Sequence, residues 1–140
     1  MIEIFTGQVH TLDHVWPHVV PHVSRFCETT QPTTPEGIRS DIESGIKQLW
    51  AASSDGSVVG VLVTEVYESG RGNVCCIWAA CGSVGTAELR PVFAHVETWA
   101  REIGCTVLEV RGRRGWKRVL PDFIETGVLL EKDLRDARIH

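Results

Sequence analysis

The stretch best suited to chemistry is Cys81-Gly82-Ser83-Val84-Gly85-Thr86-Ala87, which follows the apolar run Val74 to Ala80 and precedes an amphipathic pattern from Leu89 to Ile103. A strand, a glycine-bearing loop and a helix start together can hold a phosphate. The first turn of a helix leaves backbone N–H groups unpaired at the positive end of its dipole, and glycines let a ligand approach that backbone closely. Glu88 opposes an anion at this point, and Arg90 can offset it.

Three other groups of residues carry potential chemistry. Arg111, Arg113, Arg114, Lys117 and Arg118, interleaved with Gly112, Gly115 and Trp116, form the one basic concentration. Such a run can bind phosphate, nucleic acid or an acidic protein surface, or it can be a solvated turn with Trp116 packed inward. His10, His14, His18 and His22 recur every four residues, which stacks them along one side of a helix. On a helical wheel His14, His18 and His22 fall opposite Trp16, Val19 and Val23, so a solvent stripe is expected and no metal site. The 5 cysteines include adjacent Cys75 and Cys76, which point to opposite faces of a strand. None has zinc-knuckle spacing, and the odd count with no secretory leader ahead of it leads to the expectation of buried, inert thiols in a reducing compartment.

The elements that must position these residues follow from periodicity. At 140 residues, 43% hydrophobic and 23% charged, the chain fits one soluble globular domain over residues 1–140. A net charge of -4 argues against a dedicated nucleic-acid binder, and the longest apolar runs fall well short of the roughly 20 residues a membrane helix needs. Ile2 to Phe5 reads as a first strand. Thr11 or Asp13 can cap a helix carrying Trp16, Val19, Val20, Val23 and Phe26, with a kink expected at Pro17 and Pro21. Thr33 and Glu36 resemble a capping box for a short helix with Ile38 and Ile42 inward. Lys47 to Ser53 and Val58 to Tyr67 flank an Asp55-Gly56 hairpin turn, and Ser69-Gly70-Arg71-Gly72 leads into Asn73 to Ala80. After the helix from Leu89 to Ile103 come a short strand, Thr106 to Val110, a brief helix from Trp116 to Leu120 and a last strand, Phe123 to Leu130. The order β-α-α-β-β-β-α-β-α-β predicts an α/β (α+β) fold. Its sheet, of about six strands, is mixed and mostly antiparallel, with a parallel pair where a helix joins the fourth and fifth strands.

This order of elements resembles the GNAT superfamily of acyl-CoA-dependent N-acyltransferases over nearly the whole chain. The segments Ala100 to Cys105 and Gly112 to Leu120 are similar to small GNAT-like proteins of bacteriophages and prophages. The resemblance implies that the fourth and fifth strands splay apart, that pantetheine pairs with the fourth, and that the loop window Gly82-Ser83-Val84-Gly85-Thr86-Ala87 holds the pyrophosphate. Ala79, Ala80 and Arg118 complete the implied cofactor residues for acetyl-CoA or another acyl-CoA, with no metal. Gly85 and Ala87 match the motif; Gly82 stands where a glutamine or arginine is usual. The superfamily's proton-donating tyrosine falls at Arg118, which cannot shuttle a proton, and Asp122 replaces a glycine beside Phe123. Glu65, with Glu68 on the opposite face, and the sole tyrosine, Tyr67, remain as candidates for proton transfer, although strand alternation also accommodates them as a solvated face and a turn-flanking aromatic.

Two functional expectations follow. The first is acyl transfer from acetyl-CoA to an unidentified amine by a cytoplasmic enzyme with a degenerate catalytic set. The second is an inactive GNAT-like scaffold serving as a phage virion or accessory protein, self-associating or bound to phage structural proteins.

Overall fold

The computed structural model describes residues 2–7, 12–29, 33–82 and 89–111. The order is β1 (Ile2–Gly7), α1 (Leu12–Thr29), α2 (Pro35–Glu43), β2 (Lys47–Ser54), β3 (Ser57–Ser69), β4 (Gly72–Gly82), α3 (Arg90–Glu102) and β5 (Val107–Val110). These are the first eight elements expected from periodicity. Among the described residues the sheet has five strands rather than about six, in the spatial order β1-β2-β3-β4-β5. The expected helix Trp116 to Leu120 and strand Phe123 to Leu130 lie outside the described residues. Neighbours from β1 to β4 are antiparallel, whereas β5 joins β4 in parallel after α3 crosses over.

Alternation along the strands sends side chains to two cores. On one face Leu49, Ala51, Val61, Val63 and Ala79 pack under Trp16, Val19, Val23 and Phe26 of α1 and Ile38 and Ile42 of α2. On the other, Trp50, Ala52, Leu62, Cys75 and Ile77 meet Val92, Phe93, Val96 and Ala100 of α3. Each fully buried Val, Leu or Phe contributes about 1.5–3 kcal/mol relative to exposure. No described helix is long and apolar enough to cross a membrane.

Local chemistry explains the boundaries. Asp55 and Gly56 both take positive φ (52° and 81°), as a two-residue hairpin turn requires. The cap of α2 is Thr34 rather than Thr33: its side chain accepts from the Gly37 N–H at 3.0 Å, with Pro35 in the first turn. Helix α3 starts at Arg90 beside Pro91 and stops before Gly104, whose φ of 92° suits glycine. Helix α1 runs through Pro17 and Pro21 without interruption. Pro17 and Pro21 lie on the exposed side, where water can bond the carbonyls that their missing N–H groups leave free.

Candidate active site

Among the described residues, the pairing between β4 and β5 covers only part of β4. Strand β5 pairs with β4 only from Val74↔Val107 to Ile77↔Val110, and the Arg111 N–H donates to the Ile77 carbonyl at 3.2 Å as the last link. Strand β4 continues to Gly82, paired on its other side with β3. Among the described residues, therefore, the β4 edge from Trp78 to Gly82 has no strand beside it on the β5 side. The register to β3 slips at the same point: Thr64 pairs with Ile77 and Val63 with Ala79, so Trp78 is an extra, bulged residue. The bulge falls one residue beyond the last described β4–β5 pairing.

A row of polar side chains crosses the sheet just before this vertex. Register places Lys47 opposite Glu65, Glu65 opposite Cys76 and Cys76 opposite Glu109, one residue from each of four strands on the α1/α2 face. Lys47 is mostly buried, its side chain 10% exposed, and its ammonium sits 2.8 Å from Asp41 of α2, 3.9 Å from Glu65 and 4.8 Å from the centre of the Trp78 ring. Trp78 in turn packs against Phe26 at 5.5 Å. The bulge thus turns an indole toward α1, and Lys47 lies over it.

At the β5 end of the row, the Tyr67 hydroxyl lies 2.9 Å from each oxygen of Glu109. Arg111 Nε donates to the same carboxylate at 3.3 Å, and Arg71 approaches it at 3.8 Å. Burial alone would raise the Glu109 carboxyl, but hydrogen bonds from Tyr67 and Cys76, together with Arg111, outweigh it and hold the group below the usual carboxylate range. The hydrogen bond to Glu109, aided by burial, pushes the Tyr67 phenol up, so it keeps its proton. Glu65 differs, since its one contact among the described residues is the long one to Lys47. Glu65 is therefore the less engaged acceptor, whereas Glu109 already accepts from Tyr67, Cys76 and Arg111.

The residues singled out by sequence fall in three places. Glu65 and Tyr67 share the α1/α2 face of β3 and are both half-buried. Ala79 and Ala80 lie on the open part of β4. Gly82 is the last residue of β4, not the first of a loop, and its glycine has a packing cause: a Cβ there would stand 2.4 Å from the Val59 carbonyl oxygen and 2.8 Å from the Gly60 Cα. No side chain fits that position without moving β3, so the basic or amide residue usual in the resembled motif is excluded by the close approach of two strands. Ser83, Val84, Gly85, Thr86, Ala87 and Arg118 lie outside the described residues.

Glu109, Lys47, Asp41 and Trp78 are not apparent as site residues in the sequence. A charge inside the four-residue strand Val107–Val110 was the available signal for Glu109, because strand interiors rarely hold an unpaired carboxylate. The histidine stripe is also corrected. His14 and His18 are exposed, but His22 is half-buried with Nε2 3.1 Å from the Val58 carbonyl. His10 lies outside the described residues. Among the described residues no three His, Cys, Asp or Glu side chains converge on a point where a metal ion could sit. Cys75 and Cys76 do face opposite sides of β4, one toward α3 and the other toward Glu109, and burial pushes both thiols up to about 12.

Comparison with known proteins establishes the architecture. No protein-family model matches the chain, and no curated protein matches it significantly. Solved structures do. An aminoglycoside acetyltransferase from an uncultured soil metagenomic sample, in complex with sisomicin, superposes with a TM-score of 0.74 at 12% identity, covering 96% of this chain and 97% of that one. A ribosomal-protein-alanine N-acetyltransferase from Brucella melitensis biovar Abortus 2308 gives 0.69 at 10% identity, covering 96% and 99%. A predicted acetyltransferase of Clostridium acetobutylicum, in a structure with acetyl-CoA, gives 0.68 at 11% identity, covering 96% and 97%. The fold of this chain is that of the GNAT acetyltransferases.

Proposed function

We propose that the protein is an acyl-CoA-dependent N-acyltransferase whose reacting centre is the vertex between β4 and β5. The observation that supports this reading is the bulge at Trp78, one residue beyond the last described β4–β5 pairing, with five residues of β4 backbone that have no strand beside them on the β5 side among the described residues. An extended pantetheine chain can pair with such an edge through its backbone groups. Coenzyme A, when bound, would supply the activated thioester. The residues of this chain then divide the remaining work.

The polar row on the α1/α2 face receives the amine. Attack requires a neutral amine held against the thioester, hence positioning and a proton acceptor. Glu65 is the better acceptor of the two carboxylates, because Glu109 is saturated by Tyr67, Cys76 and Arg111 and held in its ionised form. Tyr67 retains its proton, donates a hydrogen bond to Glu109 and so fixes the orientation of that carboxylate. Lys47 and Trp78 shape the wall between the amine and α2. The departures at Arg118 and Asp122 therefore do not leave the chain without groups for proton transfer.

Calorimetric titration with acetyl-CoA tests the reading. Binding with a dissociation constant of about a millimolar or tighter is expected, and absence of heat at that concentration removes it.

A further inference from the structure

The polar row is charged unequally at its two ends. Around Lys47 two carboxylates, Asp41 and Glu65, share one cation. Around Glu109 two guanidinium groups, Arg71 and Arg111, share one carboxylate. Among the described residues one end carries a surplus negative charge and the other a surplus positive one. The two ends are separated only by Cys76, since Glu65, Cys76 and Glu109 are successive cross-strand partners, a span of about 10 Å.

The positive end has unused binding capacity. A guanidinium has five N–H donors in a planar fork suited to a carboxylate. Arg111 offers only Nε to Glu109, and Arg71 reaches it only through one terminal nitrogen. Their side chains are 50% and 56% exposed and Arg111 also bonds to Tyr67, which leaves each guanidinium with further N–H donors for a ligand among the described residues. Glu109 is thus a tether: it draws together two arginines from the β3–β4 turn and the end of β5, while Tyr67 fixes its own orientation. Resting on the acyltransferase reading, we infer that the acceptor is an amine that also carries a carboxylate, an amino acid or short peptide, with its amine at Glu65 and its carboxylate on Arg71 and Arg111.

A polycationic amine is the contrasting case. It would meet the surplus positive charge of the arginine pair, and like charges brought together at a binding site cost affinity. The arrangement therefore selects for a zwitterion over an amine of the same skeleton without the acid.

Matched pairs of acceptors test this. With saturating acetyl-CoA, thiol release is measured for phenylalanine against phenethylamine and for glycine against methylamine, using the full chain and the double variant Arg71→Gln/Arg111→Gln. The acid-bearing member of a pair is expected to be acylated with at least roughly tenfold higher kcat/KM, and the variant to erase that preference through KM while still binding acetyl-CoA. If the amine lacking the acid is equal or better, if the preference survives in the variant, or if acetyl-CoA binds and no acid-bearing amine is acylated, the inference is overturned. A second measurement needs no cofactor: N-acetylphenylalanine is titrated while arginine Nε–H resonances are followed by NMR. Shifts at Arg71 and Arg111 that vanish in the variant support the assignment, and their absence refutes it. Failure of acetyl-CoA to bind in calorimetry, by contrast, strikes the acyltransferase reading itself.

Discussion

Tyr67 and Glu109 stand on strands that are not neighbours, yet the tyrosine hydroxyl spans β4 to lie 2.9 Å from both carboxylate oxygens. The contact closes over Cys76 and ties β3 to the last described strand. It holds a strand of four described residues against the sheet from one face, near the last described β4–β5 pairing.

Because the chain has 1 tyrosine, its ionisation can be read directly from tyrosinate ultraviolet absorbance. The native phenol is expected to titrate above the free value of about 10, because ionisation would set a phenolate against Glu109. Glu109→Gln removes that charge and should bring the midpoint down. An unchanged midpoint would mean that the Tyr67–Glu109 contact does not form in solution.

Glu109 gives stability a dependence at the acid end. Its native carboxyl is held low, so the unfolded state takes up protons first as pH falls. The stabilisation is complete above the ordinary carboxylate range and is lost as pH drops through the native value. Thermal unfolding measured from neutral to acid pH should therefore fall less steeply for Glu109→Gln than for the parent chain.

Beneath α3, Trp50 Nε1 donates to Thr64 Oγ1 at 2.9 Å, and that hydroxyl donates to Gln48 at 2.8 Å. Trp50 and Thr64 are both buried. Thr64→Val keeps the shape but strands the indole N–H, at an expected cost of about 1–3 kcal/mol. Urea unfolding monitored by tryptophan fluorescence measures it, and a midpoint equal to that of the parent would contradict the relay.

Gly82→Gln puts the residue usual in the resembled motif at this position. Because the new Cβ would fall on the Val59 carbonyl, the substitution should destabilise by about 1–3 kcal/mol or more rather than tighten coenzyme A binding. Denaturation midpoint and acetyl-CoA affinity, measured on the same sample, separate the two outcomes.

The framework was legible in the sequence because its signals are local. The Asp55-Gly56 turn, the spacing of Val92, Phe93, Val96 and Ala100, and the small face of Ile38 and Ile42 each fix one element within a few residues of chain. The site was less so, because it is made by register. Lys47, Glu65, Cys76 and Glu109 become one row only once three strand pairings are set, and nothing near Glu109 announces Tyr67, 42 positions away. Even Gly82, read from its neighbours as part of a phosphate loop, owes its identity to Val59 and Gly60 on another strand.

The bulge at Trp78 also changes the phase of β4. Up to Cys76 the even-numbered residues look toward α1 and α2, and beyond Trp78 the odd-numbered ones, Ala79 and Cys81, do so. Removing that single residue would restore one alternation along the whole strand and turn its last three side chains over, sending Ala79 and Cys81 toward α3 and Ala80 toward α1. The filling of both cores at this end of β4 is thus written in one extra residue, so an insertion or deletion at that point alters both cores at once.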